Sequence, residues 1–107
     1  MPRCRDGCTD CMLDRVQLEI ELFKRHIEVL RVVVLHQPIG IMKLAEKLDL
    51  PYHRIRYSLR VLEHMGYIRA SPAGAVATPR AEELVRDLDT HIDAIVKELE
   101  TLKAPDT

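Results

Sequence analysis

Two regularly spaced series of apolar residues, one towards each end of the chain, restrict its fold more than any other feature. The first follows alternating intervals of three and four positions through Leu13, Val16, Ile20, Phe23, Ile27, Leu30 and Val34. The second repeats these intervals through Ala81, Val85, Leu88, Ile92, Ile95, Leu99 and Leu102. This heptad spacing predicts two long helices, each burying one apolar stripe against another helix.

Proline and glycine residues divide the segment between the two series into shorter elements. Pro38 and Gly40 end the first helix, whose last third, Val29 to Leu35, is apolar on all sides and is expected inside a globular core. A short helix is predicted from Ile41 to Leu48, and another from Pro51, as its first residue, to about Met65. The chain is therefore expected to begin with three successive helices.

Turn signals then predict a small hairpin and one last helix. Gly66 provides a left-handed stop for the preceding helix. Extended runs over residues 67–71 and 75–78 flank the turn Pro72-Ala73-Gly74, in which Gly74 can adopt a positive φ. Thr78 and Pro79 are expected as the N-cap and first position of a final helix that reaches about Lys103.

Size and composition exclude several classes of function. The 107 residues make one small domain, too short for the large α/β frames of most enzymes. No Ser-His-Asp or phosphate-loop pattern occurs, and the five histidines share no short spacing, so we expect surface or packing histidines and no enzyme. No apolar run suits a membrane span or a signal peptide, which predicts a cytoplasmic protein without a membrane partner.

The net charge of −1 conceals an uneven distribution along the chain. Residues 24–80 carry a net charge of +6, whereas residues 1–23 carry −2 and residues 81–107 carry −5. A basic segment between acidic flanks is the pattern expected when one part of a chain meets a polyanion such as nucleic acid. We therefore expect the middle of the chain to bind it.

The middle segment also resembles a known DNA-binding domain. Between Pro38 and Thr78 it combines the helix Leu44-Ala45-Glu46-Lys47-Leu48, an amphipathic second helix, and the sequence Leu62-Glu63-His64-Met65-Gly66 before a hairpin. This combination resembles the winged helix-turn-helix domain of prokaryotic and archaeal transcriptional regulators. With a heptad series at each end, the whole chain is similar to small dimeric winged-helix regulators of archaea.

The resemblance implies a mainly α fold, a winged helix-turn-helix with a small β-hairpin wing and long N- and C-terminal helices. It divides the chain into a cysteine-containing segment (residues 1–12), a winged helix-turn-helix domain with a long first helix (13–80) and a C-terminal coiled-coil or dimerisation helix (81–107).

The helix from Pro51 to Met65 carries the residues expected to contact DNA. If Ile55, Leu59 and Leu62 face the core, the basic and aromatic side chains face solvent, and no acidic residue occurs between Pro51 and Arg60. Arginine can bind guanine through O6 and N7, and tyrosine and histidine can contact phosphates or the thymine methyl group. The resemblance makes this the recognition helix; the alternative is an ordinary solvated face. The predicted contacts are Tyr52, His53, Arg54, Arg56, Tyr57 and Arg60.

Three further cations complete the predicted DNA surface. Lys43 and Lys47 lie on the preceding helix, which crosses the DNA backbone in this motif, and are expected to contact phosphates. The hairpin tip has no basic residue, so the wing is expected to reach phosphate through Arg69 and to read no sequence. Several such contacts make binding strongly salt-dependent.

The two apolar series also predict self-association. A helix of about 24 residues is about 36 Å long, more than a small winged-helix core can cover. Uncovered apolar stripes are avoided by small soluble proteins, so we expect a homodimer that presents two recognition helices about 34 Å apart to double-stranded DNA. The alternative is an intramolecular pair of the first and last helices. The predicted interface is formed by Leu13, Val16, Ile20, Phe23, Leu88, Ile92, Ile95, Leu99 and Leu102.

Cys4, Cys8 and Cys11 form a C-x3-C-x2-C cluster. These spacings allow three thiolates to converge on a zinc ion or an iron-sulfur cluster. His26 is about 22 Å from Cys11 along a helix, so within one chain it cannot complete the site unless the segment folds back. The other candidates are Asp6, Asp10, water, or a partner residue such as His91 of the partner subunit. The alternatives are a frayed tail with reduced thiols and a reversible disulfide.

Together these features predict a sequence-specific DNA-binding regulator of transcription that acts as a homodimer. If the cysteines bind a metal or change redox state, the regulator responds to that state. The alternative function is a winged-helix protein-protein interaction module of a transcription or replication complex, in which the basic face meets an acidic partner.

Overall fold

Three helices, a β-hairpin and two further helices follow one another along the chain. A computed structural model describes residues 11–103. Within them lie α1 (Cys11–His36), α2 (Ile41–Leu48), α3 (Tyr52–His64), β1 (Ile68–Ser71), β2 (Gly74–Ala77), α4 (Pro79–Arg86) and α5 (Leu88–Glu100). The fold is thus mainly α with a small antiparallel hairpin, as predicted, and the predicted bounds of α2 are confirmed.

The two halves of α1 have different surroundings. Its second half enters the core, where Val29, Leu30 and Val33 are completely buried, whereas the large apolar residues of its first half are exposed except for the half-buried Leu22. The expectation that Val29 to Leu35 lies inside the core is wrong for Leu35, which is 76 % exposed. A helix turns by about 100° per residue, so Leu35 points about 200° away from the buried Val33.

The core is aliphatic and receives side chains from the first four helices and from the hairpin. This composition follows from the sequence, which contains four aromatic residues and no tryptophan. Tyr67 is the aromatic residue that packs against the core, at its edge. The buried cluster consists of Val29, Leu30, Val33, Ile39, Leu44, Ile55, Leu62, Ile68, Ala77 and Ala81.

The hairpin is attached to the connection between α1 and α2. Ile39 and Ala75 form an isolated antiparallel bridge, with N–H to carbonyl distances of 3.1 and 2.8 Å. The side-chain oxygen of Gln37 accepts a hydrogen bond from the backbone N–H of Ala77 at 2.9 Å. These bonds use the outer edge of β2, so the hairpin has a third, very short neighbour that the sequence analysis did not predict.

Thr78 links the C-terminal end of α3 to the N-terminal end of α4. The left-handed Gly66 (φ 86°) ends α3, with the N–H of Tyr67 bonded to the Leu62 carbonyl at 2.9 Å, as in a Schellman cap. Thr78 caps α4 by accepting from the N–H of Ala81, and its hydroxyl donates to the Gly66 carbonyl at 2.8 Å. The predicted stop and cap are therefore confirmed, whereas Pro51 is the N-cap of α3 and not its first residue.

The last helix is not continuous, which corrects the sequence expectation. Asp87, with φ −99° and ψ 12°, interrupts it and separates α4 from α5. Aspartate is a poor residue for a helix interior because its side chain competes for backbone hydrogen bonds. Immediately after the break, Leu88 is only 2 % exposed.

Between residues 11 and 103, no helix has both the length and the apolar character needed to cross a membrane.

Candidate nucleic-acid interface

α3 is held by neighbours on several sides and leaves one long face free. It contacts α1, α2 and β1. Its buried side chains are Ile55, Ser58 and Leu62, and Leu59 is half-buried. The predicted inward positions are thus correct, but the sequence analysis did not predict that Ser58 is buried.

The free face of α3 contains all six of the residues predicted to contact DNA from this helix. Each of them, from Tyr52 to Arg60, is exposed. At 100° per residue, His53, Tyr57 and Arg60 form a ridge opposite the buried face, and Arg54 and Arg56 lie on its two flanks. These five side chains therefore share one surface about two turns long, and Tyr52, also exposed, lies beside that surface in the first turn of the helix.

The cations of this surface have no intramolecular counterions. Arg54, Arg56 and Arg60 form no ion pair within residues 11–103, as is true of the other cations in this range. The first turns of α2 and α3 contain no acidic residue, and neither helix has a side-chain cap at its N-terminus. By contrast, α1, α4 and α5 each carry an acidic residue in the first turn. The free N–H groups and partial positive charge of the α2 and α3 N-termini add to the positive potential.

The remaining predicted cations, Lys43, Lys47 and Arg69, are also exposed, and both of the elements that carry them contact α3. Lys43 and Lys47 lie one turn apart on α2, which packs on α3. Arg69 lies on β1, opposite Val76 of β2. Arg80, just after the hairpin, is engaged differently: its guanidinium lies 5.3 Å from the centre of the Tyr67 ring in a cation-π contact.

A polar contact that the sequence analysis missed connects α1 with this surface. Nδ1 of His26 lies 2.8 Å from the hydroxyl oxygen of Ser58, and the His26 ring is 5.9 Å from the Tyr57 ring, centre to centre. Burial lowers the pKa of His26 from its ordinary value of 6.5, and the positive charge of Arg25 lowers it further. The negative charge of Glu19 raises the pKa, but by less. The two residues are 32 positions apart, so no local pattern could have paired them.

The cysteine cluster lies almost entirely outside the described residues. Cys4 and Cys8 belong to the undescribed segment, and Cys11, the first residue of α1, is disulfide-bonded. Because α1 is continuous, His26 stays about four turns away from Cys11. Among residues 11–103, no group of three or more histidine, cysteine or acidic side chains is arranged to hold a metal ion.

The predicted dimerisation residues form two exposed apolar stripes, with one exception. Leu13, Val16, Ile20 and Phe23 are exposed on α1. On α5, Leu88 is buried within the chain itself and cannot belong to an open interface, whereas the later positions of the series, Ile92, Ile95 and Leu99, and Leu102 just beyond the helix, are exposed.

The two stripes do not cover each other within one chain. The main helical neighbour of α5 is α4, not α1. The molecule is accordingly elongated, with extents of 57 × 32 × 22 Å and a radius of gyration of 16.7 Å, where a compact chain of this length has about 13 Å. The alternative of an intramolecular pair of α1 and α5 is thus not what this chain forms.

Comparison with models of protein families and with curated proteins finds no match to this chain. The interpretation of its surfaces therefore depends on their geometry and charge.

Proposed function

We propose that the protein is a winged helix-turn-helix regulator of transcription, which binds double-stranded DNA sequence-specifically as a homodimer with α3 as its recognition helix. The observation that carries this proposal is the free face of α3. Its exposed side chains are basic or aromatic from Tyr52 to Arg60, and no acidic side chain lies among them. A helix with such a face fits the major groove, where arginine reads guanine.

The elements around α3 support the same function. α2 and α3 are followed by a hairpin, the order expected of a winged helix-turn-helix, and the Ile39 bridge fixes that hairpin to the connection before α2. Lys43 and Lys47 add positive charge on α2. The backbone N–H groups at the uncapped N-termini of α2 and α3 can donate hydrogen bonds to phosphate oxygens.

The exposed stripes on α1 and α5 support the homodimer. Each protomer of the dimer contributes one α3, and a two-fold arrangement suits a DNA site with two half-sites about one helical turn apart. Covering the stripes with a second copy removes apolar surface from water without changing the DNA-binding face.

The proposal is tested by selecting bound duplexes from random fragments and measuring affinity for the selected site at several salt concentrations. Replacing Arg54 and Arg56 by alanine is expected to weaken binding by about 5- to 150-fold per lost guanine contact and to relax the sequence preference, since such a contact contributes about 1–3 kcal/mol. Replacing Lys43 and Lys47 is expected to weaken binding to all sequences. It should also reduce the slope of log K against log salt by about 0.9 for each lost phosphate contact.

The matched control replaces Arg86 and Lys97, two exposed cations on α4 and α5, by alanine. This variant loses the same charge away from the proposed surface and is expected to bind almost normally. Equal losses in the control and in the Arg54/Arg56 variant would reject α3 as the recognition helix. Failure of the unmodified protein to bind duplex DNA at low salt would favour the protein-protein module instead.

A response to metal or redox state remains part of the proposal through Cys4, Cys8 and Cys11. Cys11 is disulfide-bonded and can ligate a metal only as a thiolate, so metal binding requires reduction of that disulfide. Metal analysis of anaerobically purified, reduced protein tests whether zinc or iron then binds. A preparation that contains neither metal and binds DNA equally well before and after thiol reduction would remove this part, leaving DNA binding by α3 unaffected.

A further inference from the structure

The first half of α1 presents a preformed helical surface to a partner helix. Its stripe of Leu13, Val16, Ile20 and Phe23 is exposed, whereas Ile27, the next position of the same series, is buried within the chain itself. The stripe is therefore open over about 15 Å and ends where α1 enters the core. Because the second half of α1 is anchored in the core, the first half is already helical, and pairing does not have to supply the cost of forming a helix.

Two exposed charges flank this stripe, one on each side. With Ile20 at position a and Phe23 at position d of a heptad, Glu19 occupies position g and Lys24 occupies position e. Both side chains are exposed, and neither forms an ion pair within residues 11–103. In coiled coils, the charges at e and g decide which helices pair and in which direction.

A parallel, in-register pair of α1 helices places opposite charges together. In that arrangement, position g of one helix faces the position e that follows five residues later in its partner. Glu19 then faces Lys24 of the partner subunit, and the two-fold symmetry repeats this contact on the other flank. Within one helix, contacts join positions three or four apart, so Glu19 and Lys24 of the same chain are not neighbours. The two charges are therefore matched for a second copy of α1.

Antiparallel arrangements match these charges less well, because g then faces g and e faces e. Aligning the full stripe on an antiparallel second α1 puts Glu19 opposite Glu19 of the partner subunit. Aligning it on the exposed stripe of an antiparallel α5 puts Glu19 opposite Glu98 of the partner subunit, although Lys24 then faces Asp89 of the partner subunit. Like charges placed opposite each other disfavour an interface. Of these three arrangements, the parallel α1 pair alone matches both flanks.

The parallel direction also suits the proposed function. Each α1 enters the core of its own chain at Ile27. When the two helices run in the same direction, both cores lie at the same end of the pair, where two α3 helices can face one duplex. An antiparallel pair would place the two cores at opposite ends.

We propose that the first half of α1 pairs with α1 of a second copy, in parallel and in register, with Glu19 of each chain facing Lys24 of the partner subunit. This pairing rests on the proposed homodimer and specifies which stripe forms it and in which direction. Its test requires no DNA, so it is separate from the test of DNA binding.

Charge reversal tests the pairing, with sedimentation equilibrium of the full chain as the measurement. Glu19→Lys and Lys24→Glu each replace both attractive contacts of the dimer by repulsive ones. Each variant is expected to raise the dissociation constant of the dimer by about 2- to 30-fold, the combined contribution of two exposed ion pairs, and by less at high salt. The matched control is Glu21→Lys, which makes the same charge change at an exposed position away from the stripe and is expected to dimerise normally.

Mixing the two variants shows whether the charges act between chains. In a mixed dimer of Glu19→Lys with Lys24→Glu, each flank again joins opposite charges. The mixture is therefore expected to dimerise about as tightly as the unmodified protein, and so is the double variant Glu19→Lys/Lys24→Glu. A change confined to the helix of one chain would persist in the mixture. Both positions are exposed and lie before the buried half of α1, so the circular dichroism of every variant should match that of the unmodified protein.

Other results would overturn this pairing. Antiparallel pairing of α1 predicts no weakening by Glu19→Lys, and pairing with α5 predicts a tighter dimer for that variant. Weakening by either single variant without recovery in the mixture would also reject the pairing. A dimer that none of these changes affects would retain the proposed homodimer but not this pairing, whereas a monomeric unmodified protein would reject both. A protein that dimerises as expected but does not bind duplex DNA would reject the proposed function and support the pairing.

Discussion

Replacing Gly74 by alanine is expected to detach the hairpin from the α1–α2 connection. Gly74 has φ 133°, a conformation that residues with a side chain rarely adopt. A Cβ there would lie 2.6 Å from the carbonyl carbon and 2.7 Å from the carbonyl oxygen of Ile39, and 2.9 Å from the nitrogen of Gly40. These are backbone atoms, which cannot rotate away as the end of a flexible side chain could.

The magnitude follows from what must change to accept the methyl group. Backbone strain at such a position costs about 1–3 kcal/mol. Moving Ile39 away breaks its two hydrogen bonds with Ala75, and each contributes about 0.5–1.5 kcal/mol. The loss in unfolding free energy should therefore be about 2–6 kcal/mol, a large part of the stability of a small domain.

Urea unfolding followed by circular dichroism measures this loss, with Gly40→Ala as the control. Gly40 lies in the same connection, but a Cβ there meets nothing within 4 Å. Gly40 is the N-cap of α2 and has φ −81°, so Gly40→Ala should lower the unfolding free energy by less than about 1 kcal/mol. If both variants lost the same small amount, the contact between the hairpin and Ile39 would not have the importance that we assign to it.

Three further substitutions test other parts of the fold. Thr78→Ala should lower the unfolding free energy by about 0.5–2 kcal/mol because α4 loses its cap, and Thr78→Ser should restore most of it; equal losses would contradict the capping role. Leu44→Ala should cost about 2–5 kcal/mol and Leu35→Ala less than about 0.5 kcal/mol in the same urea assay, since the first is buried and the second is exposed. Ile20→Glu should convert the proposed dimer to monomer in analytical ultracentrifugation without unfolding the chain, and an unchanged mass would argue against the α1 stripe as the interface.

Local patterns were sufficient to predict most of the elements. The spacing of apolar residues identified α1, α2 and α3, and Gly66 and Thr78 were recognised as the end of one helix and the start of another. Such signals depend on backbone conformation and on neighbours within about four positions, which the sequence displays directly. The solvent-facing side of α3 was predictable for the same reason, because helical geometry determines which residues share a face. Whether that face binds DNA stays a prediction.

The sequence by itself determined which side chains share a face, and the tertiary structure decided what covers each face. Phe23 and Leu88 occupy equivalent positions of the two heptad series, yet the first is exposed and the second is buried after the break at Asp87. His26 and Ser58 were paired only by the packing of α1 on α3. The reason is physical: periodicity acts within one helix, whereas burial and long-range hydrogen bonds depend on how separate elements meet in space.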